Sequence, residues 1–195
     1  MVTSSLLIAM KPDEVALLTS LLACARRYME FGAGGSTCLA AQAVAESIIS
    51  VDSSREWLDK VAAVCAANAY AVQPALIHAD IGELRDWGWP RDETQRAQWP
   101  AYHEGVWSRP EAARADTYMV DGRFRVACFM QVMLRCPGDA LVIVHDFSDR
   151  PNYAPVHRVA REVARAGNLS AFVRRQDFDA SVASGILDQH RFDPG

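Results

Sequence analysis

Glu30-Phe31-Gly32-Ala33-Gly34-Gly35-Ser36-Thr37 is the stretch on which the reading of the whole chain turns. It closes a short apolar run, Tyr28 to Phe31, that reads as a strand stopped by Gly32. Ser36 or Thr37 can cap a helix running to about Ala45. Strand, glycine turn and helix together make a place for a ligand. The glycines let the backbone bend sharply and let another molecule approach, and the helix that follows offers free N–H groups to polar ligand atoms. Such a turn serves nucleotide cofactors in general. The dinucleotide fingerprint G-x-G-x-x-G/A asks for Gly or Ala where Thr37 stands, so that fingerprint is broken.

Outward from this turn, strands and helices alternate. Val15, Leu18, Leu21, Leu22 and Ala25 recur at helical spacing between Asp13 and Arg26, after Pro12 and at the acidic pair Asp13-Glu14. Ile48 to Val51 is a second strand ending at Asp52. Ser53 or Ser54 caps a third helix carrying Trp57, Val61, Val64 and Cys65 on one face. Ala75 to Ile81, Tyr118 to Val120 and Ala140 to Val144 are the third, fourth and fifth strands, with a helix from Phe124 to Leu134 before the fifth. A helix is expected from about Pro155 to Ala166, then a strand from Leu169 to Val173, and Gly185 to Phe192 leaves room for one more. Near-continuous apolar strands alternating with helices mean an α/β fold, a doubly wound and mostly parallel sheet with helices on both faces. The irregular stretch from Gly82 to Pro110 holds four of the five tryptophans, Trp87, Trp89, Trp99 and Trp107. It can be an acceptor lid, or it can cover a sheet edge or a dimer contact, which leaves a homo-oligomer open.

With 195 residues, half of them hydrophobic, the chain reads as a single domain over 1–195. A formal net charge of −4 argues against a nucleic-acid partner. The five cysteines are odd in number and lack CxxC spacing, which suggests buried free thiols in a reducing compartment. Val2 to Met10 is mildly apolar but has no basic leader, and Val61 to Ile77 is interrupted by Asn68, Gln73 and Pro74. Neither reads as a signal peptide or a membrane span, so a cytoplasmic location is expected.

The loops beyond the strand ends carry the candidate chemistry. Glu30 stands at the end of the first strand and can face a ligand's ammonium group, which S-adenosylmethionine has and NAD lacks. Asp52, 22 residues further on, can accept hydrogen bonds from ribose hydroxyls, or simply cap the next helix. Asp80 can meet an exocyclic amine, or simply serve its turn. Taken in order, Glu30-Phe-Gly-Ala-Gly, Ser50-Val51-Asp52, Asp80 and Asp121-Gly122 resemble the successive motifs of class I S-adenosylmethionine-dependent methyltransferases. The resemblance covers about residues 28 to 147. It implies a Rossmann-like sheet of about seven strands ending in an antiparallel hairpin. It also implies that Glu30, Gly32 and Gly34 surround the methionine part, Asp52 the ribose and Asp80 the adenine, with Ala33, Ser53 and Ile81 beside them.

Methyl transfer asks the protein mainly to align its partners, and it asks for a base when the acceptor must lose a proton. Asp121, His145 and Asp146 are the candidate catalytic residues. The fourth-strand loop lacks the Asn/Asp-Pro-Pro-Tyr of many amino-group methylating enzymes. Asp121-Gly122 and His145-Asp146 are similar instead to small-molecule O-methyltransferases, some of which hold a divalent cation between such acids. By that resemblance Asp121 and Asp146 become candidate metal ligands, although His145 replaces one acid of the usual pair. Asp146 can equally pair with Arg150, and His145 can be satisfied by backbone. Arg123 and Arg125 can pair with acids on the protein surface, or one of them can point into the pocket and clamp an anionic acceptor, with Arg123 the candidate, and Tyr153 is a candidate lining residue. The function expected is methyl transfer from S-adenosylmethionine to a small molecule, at an oxygen. A non-catalytic S-adenosylmethionine-binding protein and an NAD-dependent oxidoreductase are the alternatives.

Overall fold

Residues alternate faces along β1 (Arg27–Phe31), and that alternation organises the molecule. Tyr28 joins an apolar layer beneath α1 (Pro12–Leu22) and α2 (Gly35–Ala43), with Leu18, Leu22, Ala40 and Ile48. Met29 and Phe31 join a larger layer on the opposite face, with Tyr118, Val120, Phe124 and Phe129. The computed structural model describes residues 6–195. Of the apolar stretch Val2 to Met10, Val2 to Ser5 therefore lie outside the described residues.

After α2 come β2 (Ser47–Asp52), α3 (Arg55–Ala67) and β3 (Ala75–His78). A two-residue ribbon follows, β4 (Leu84–Arg85) with β5 (Trp89–Pro90), then α4 (Ala101–Glu104), β6 (Thr117–Val120), α5 (Arg125–Arg135) and β7 (Leu141–Val144). The chain ends in β8 (Ala160–Ala166), β9 (Leu169–Arg174) and α6 (Ala180–His190). The main sheet has seven strands in the order β3-β2-β1-β6-β7-β9-β8. The pairs β3-β2, β2-β1, β1-β6 and β6-β7 are parallel, while β7-β9 and β9-β8 are antiparallel. Chain order reverses between β1 and β6, which opens a crevice at their carboxyl ends.

The α/β class, the doubly wound sheet and its closing hairpin agree with the expectation, but the last third of the chain is assigned differently. Pro155 to Ala166 is no helix. A 3-10 turn occupies Pro151–Arg158 and Ala160–Ala166 is the edge strand β8. Gly185 to Phe192 adds no strand, because α6 occupies most of it, capped by Asp179, whose side chain accepts from the Ser181 N–H at 2.8 Å. β8 carries Arg161, Glu162 and Arg165, and its alanines favour helix in isolation. As an edge strand it has one neighbour, and charge there discourages a second.

The long stretch after β3 does two things. Trp99, Tyr102 and Val106 are buried against α5 and the sheet, and Trp107 packs on Phe31 and Tyr118. Trp87 and Trp89 turn the other way, toward the crevice. Four of the five cysteines are buried as expected, but Cys24, just past α1, is exposed. Cys38 and Cys65 bring their sulfurs to 3.9 Å between α2 and α3. Burial first, and then the neighbouring Cys65, push the Cys38 thiol up to about 12. No helix among the described residues is long and apolar enough to cross a membrane.

Candidate active site

The crevice between the carboxyl ends of β1 and β6 widens into a cavity of about 820 Å³. Its floor is the glycine turn. Gly32 has φ +101°, and its Cα side meets the Gly122 backbone so closely that a Cβ there would lie 2.5 Å from the Gly122 nitrogen. The two loops thus touch backbone to backbone, which only glycine allows. Gly34 differs, since a Cβ there would meet nothing nearer than Trp57 Nε1 at 3.7 Å. The Trp57 indole donates to the Ala33 carbonyl at 2.6 Å, tying α3 to the turn. Leu7 to Met10 form one wall, with Ile8 lying against Gly35 at the start of α2.

Asp52 stands at the end of β2. Its carboxylate accepts from the Ala33 N–H at 3.1 Å and the Ser54 N–H at 2.8 Å. Burial raises its pKa, and the N–H donors of Ser54, Ala33 and Ser53 work against that rise. Ser54 caps α3, accepting from the Trp57 N–H at 3.2 Å, so Asp52 is not needed as the cap. Gly32, Ala33, Gly34, Asp52 and Ser53 therefore converge on one cavity.

Glu30 does not join them. It shares the strand face of Tyr28, turned beneath α2, and is fully buried. Its carboxylate accepts from the hydroxyls of Tyr28 at 2.9 Å, Ser36 at 2.8 Å and Ser50 at 2.7 Å, and from Thr37 as well. Burial raises its pKa against those four donors. The residue bolts β1, β2 and the start of α2 together and so fixes the glycine turn without facing the cavity. Asp80 and Ile81 also lie outside it. Asp80 is exposed and accepts from the Gly82 N–H at 3.0 Å as a turn residue, and Ile81 is packed in the core.

At the other end of the cavity, Asp121, His145 and Asp146 come together around Arg125, which pairs with acids here in the interior and not on the surface. Arg125 enters from the first turn of α5 and is almost wholly buried. It donates to the carbonyls of Gly122 at 2.9 Å, His145 at 2.8 Å and Asp121 at 3.0 Å. It also pairs with Asp146 Oδ2 at 3.2 Å and Asp121 Oδ1 at 3.4 Å. Asp146 binds Arg150 as well, at 3.3 Å. Burial alone would raise the Asp146 pKa, but Arg125 and His145 hold it below its ordinary range.

His145 has both ring nitrogens engaged. Nδ1 lies 2.9 Å from Asp121 Oδ1, and Nε2 lies 3.4 Å from Glu14 Oε2. Burial opposes the charged ring, yet the hydrogen bond and charge of Asp121, with Asp146 and Glu14, raise its pKa. With both nitrogens engaged, the ring holds Asp121 in place and does not stand free in the cavity. One ligand atom from each of Asp121, His145 and Asp146 lies within 4.8 Å of the others, close enough to suggest a metal site. The donor set does not fit one. The Arg125 guanidinium already spans the two carboxylates, and a divalent ion would be placed beside that fixed cation.

Arg123 lines the cavity with its guanidinium centre 4.6 Å from the Trp89 ring centroid. Tyr153 does not line it, being buried against Phe147. Sequence reasoning missed Glu14, whose place in the first turn of α1 looked like ordinary helix-start chemistry. It also read Trp57 only as a helix face. Nothing local in the sequence marks either of them.

A sheet in this strand order, with a glycine turn and a carboxylate at the ends of β1 and β2, defines the class I S-adenosylmethionine-dependent methyltransferase fold, Rossmann-like in form. Within that class the chain is similar to a methyltransferase-like protein from Silicibacter pomeroyi, with 28% identity over 97% of this chain and 99% of that one, at a TM-score of 0.88. The O-methyltransferase TomG from Streptomyces achromogenes, solved in complex with SAM, shares the fold at 18% identity, covering 86% of this chain and 82% of that one, TM-score 0.53. A ribosomal protein L11 methylase from Lactobacillus delbrueckii shares it at 14% identity, covering 87% and 82%, TM-score 0.55. No protein-family model matches the sequence, and no curated protein matches it.

Proposed function

We propose that the chain binds S-adenosylmethionine in this cavity and methylates a small molecule at an oxygen. The observation that carries the reading is the convergence of Gly32, Ala33, Gly34, Asp52 and Ser53 on one cavity at the switch point of the sheet. The residues present suit the cofactor. Gly34 leaves open the space that a side chain would fill, and Asp52 is held by backbone N–H groups with lone pairs to spare for a ribose diol. When bound, the cofactor supplies an electrophilic methyl group on a positively charged sulfur. The protein's own part is alignment, exclusion of water and reception of a proton.

Asp121 is the residue for that proton. His145 fixes its Oδ1, and its Oδ2 has no hydrogen-bond partner among the described residues while the side chain lines the cavity. An acceptor hydroxyl placed there can donate to Oδ2 as its oxygen becomes nucleophilic. Support for an oxygen acceptor comes from this carboxylate, placed to receive a hydroxyl proton. The fold alone selects no acceptor, since an enzyme named for a ribosomal protein shares it too. The small-molecule reading draws on the net charge of −4 and the walled cavity.

Thermal shift against S-adenosylmethionine, S-adenosylhomocysteine and NAD tests the cofactor. A ligand at 100 times its Kd adds about 2.7 kcal/mol of stability. The first two should raise Tm and NAD should not. A rise with NAD alone overturns the reading. Activity, once an acceptor is found, should be indifferent to added magnesium and to a chelator, because Arg125 already pairs with both carboxylates that would hold the ion.

A further inference from the structure

Two arginines enter the cavity side by side and are treated differently. Arg125 is satisfied by three carbonyls and two carboxylates. Arg123, two residues earlier, is only 8% exposed, and its guanidinium makes no hydrogen bond or ion pair among the described residues. Its Nε is buried with no partner. Only its backbone N–H is engaged, donating to the Tyr102 hydroxyl at 3.3 Å. One face of the guanidinium rests on the Trp89 ring at 4.6 Å. Burial, and then the nearby charge of Arg125, push its pKa down, so the surroundings do not compensate this cation. A buried charge without a counter-charge is costly, and it stays in a fold when something else supplies the opposite charge.

The wall beside it has a second unusual feature. Trp87 is 82% exposed at the cavity and held at φ +62°, a left-handed backbone that bulky residues seldom adopt. Gly88 follows at φ +71°, and its open side lies between Ser53 and Arg123. The strained turn presents one indole to the mouth of the cavity and lays the next against Arg123. Strain of this kind concentrates at ligand sites.

We infer that the methyl acceptor is a flat aromatic molecule bearing an oxyanion, a carboxylate or a phosphate, which Arg123 receives while Trp87 and Trp89 hold the ring. A guanidinium fork with its donors free matches the paired oxygens of either anion, and an indole wall matches a planar ring. This rests on the methyltransferase reading, in that it assigns the cofactor to the glycine turn and leaves Arg123 to the acceptor.

Calorimetry on the full chain tests it, with benzoate and phenyl phosphate as anionic probes and benzamide and benzyl alcohol as neutral ones, each added to protein saturated with S-adenosylhomocysteine. At least one anion should bind about ten-fold or more tightly than both neutral probes, and which one does so identifies the group. Arg123→Gln should erase that preference, hold S-adenosylhomocysteine affinity within about two-fold, and keep Tm at or above the wild-type value. Arg123→Lys should restore part of the preference. Equal binding of neutral and anionic probes, or no binding of either anion, overturns the inference. So does a ten-fold loss of S-adenosylhomocysteine affinity in Arg123→Gln, which would give the arginine to the cofactor, or a fall in its Tm, which would make the arginine structural. If the wild type fails to bind S-adenosylhomocysteine, the methyltransferase reading fails instead. The same probe comparison on the unliganded protein then decides the role of Arg123 by itself.

Discussion

Removing the Glu30 carboxylate would leave the hydroxyls of Tyr28, Ser36, Thr37 and Ser50 buried without their common acceptor. Each orphaned group costs about 1–3 kcal/mol, so Glu30→Ala should lose about 3 kcal/mol or more in a denaturant titration, with Glu30→Gln losing less. S-adenosylhomocysteine affinity should fall with stability in this series, because the residue acts through the turn it anchors. An affinity loss without a stability loss would return Glu30 to the ligand. The sequence made Glu30 conspicuous but could not show which way it points, since its four donors come from β1, α2 and β2 and meet only in the folded chain. His145 gives a second expectation, in pH. It faces Asp121, Asp146 and Glu14, with Arg125 behind them, and its folded-state pKa is raised. The stability it adds is therefore complete below the ordinary imidazole value, near about 6.5, and is lost as pH rises through the higher folded value. The Tm gap between wild type and His145→Gln should be widest near about pH 6 and narrow toward about pH 9. A gap independent of pH would mean that the ring is not charged.

The glycine turn after β1 separates folding from binding within three residues. Gly32→Ala forces a side chain into a left-handed angle and against the Gly122 backbone, so it should cost at least about 2 kcal/mol, read as a lower Tm. Gly34→Val meets only ordinary contact with Trp57, and Gly34 has an extended φ of 172°. It should leave Tm nearly unchanged while abolishing S-adenosylhomocysteine binding by calorimetry. If both substitutions act alike, the turn is only structural. These two roles were half legible. The motif marked both glycines, but only the approach of the β6 loop sets Gly32 apart. The hairpin of β8 and β9 shows the opposite case. Ala160-Arg161-Glu162-Val163-Ala164 has helical propensity, and although burial alternates along the strand, its inner positions Ala160, Glu162 and Ala164 are small or polar, so the alternation leaves little trace in the apolar pattern. Its strand character comes from pairing with β9, with a register shift between Glu162 and Ala164.

Across the whole molecule, the parallel half was readable because each strand there is buried on both faces and ends in a turn residue that announces itself. The antiparallel half was readable only at β9, where Leu169 to Val173 is a strand as expected, and the cationic side of the cavity only as far as naming its arginines as candidates. Those arginines come from one loop and one helix start, and the sequence could not show that Arg125 is paired while the Arg123 guanidinium is left without a hydrogen-bond partner among the described residues. The cysteines carry one consequence at this scale. Four of them are buried and Cys24 alone is exposed, in the link between α1 and β1, at the amino edge of the sheet. The cavity lies beyond the carboxyl edge, so the native chain has one addressable thiol on the side away from its ligands. A thiol titration should count one fast-reacting group in the native protein and five in denaturant. A maleimide dye would then attach at a single known position, and the protein could be tethered or followed by fluorescence with no engineered cysteine and an unobstructed cavity.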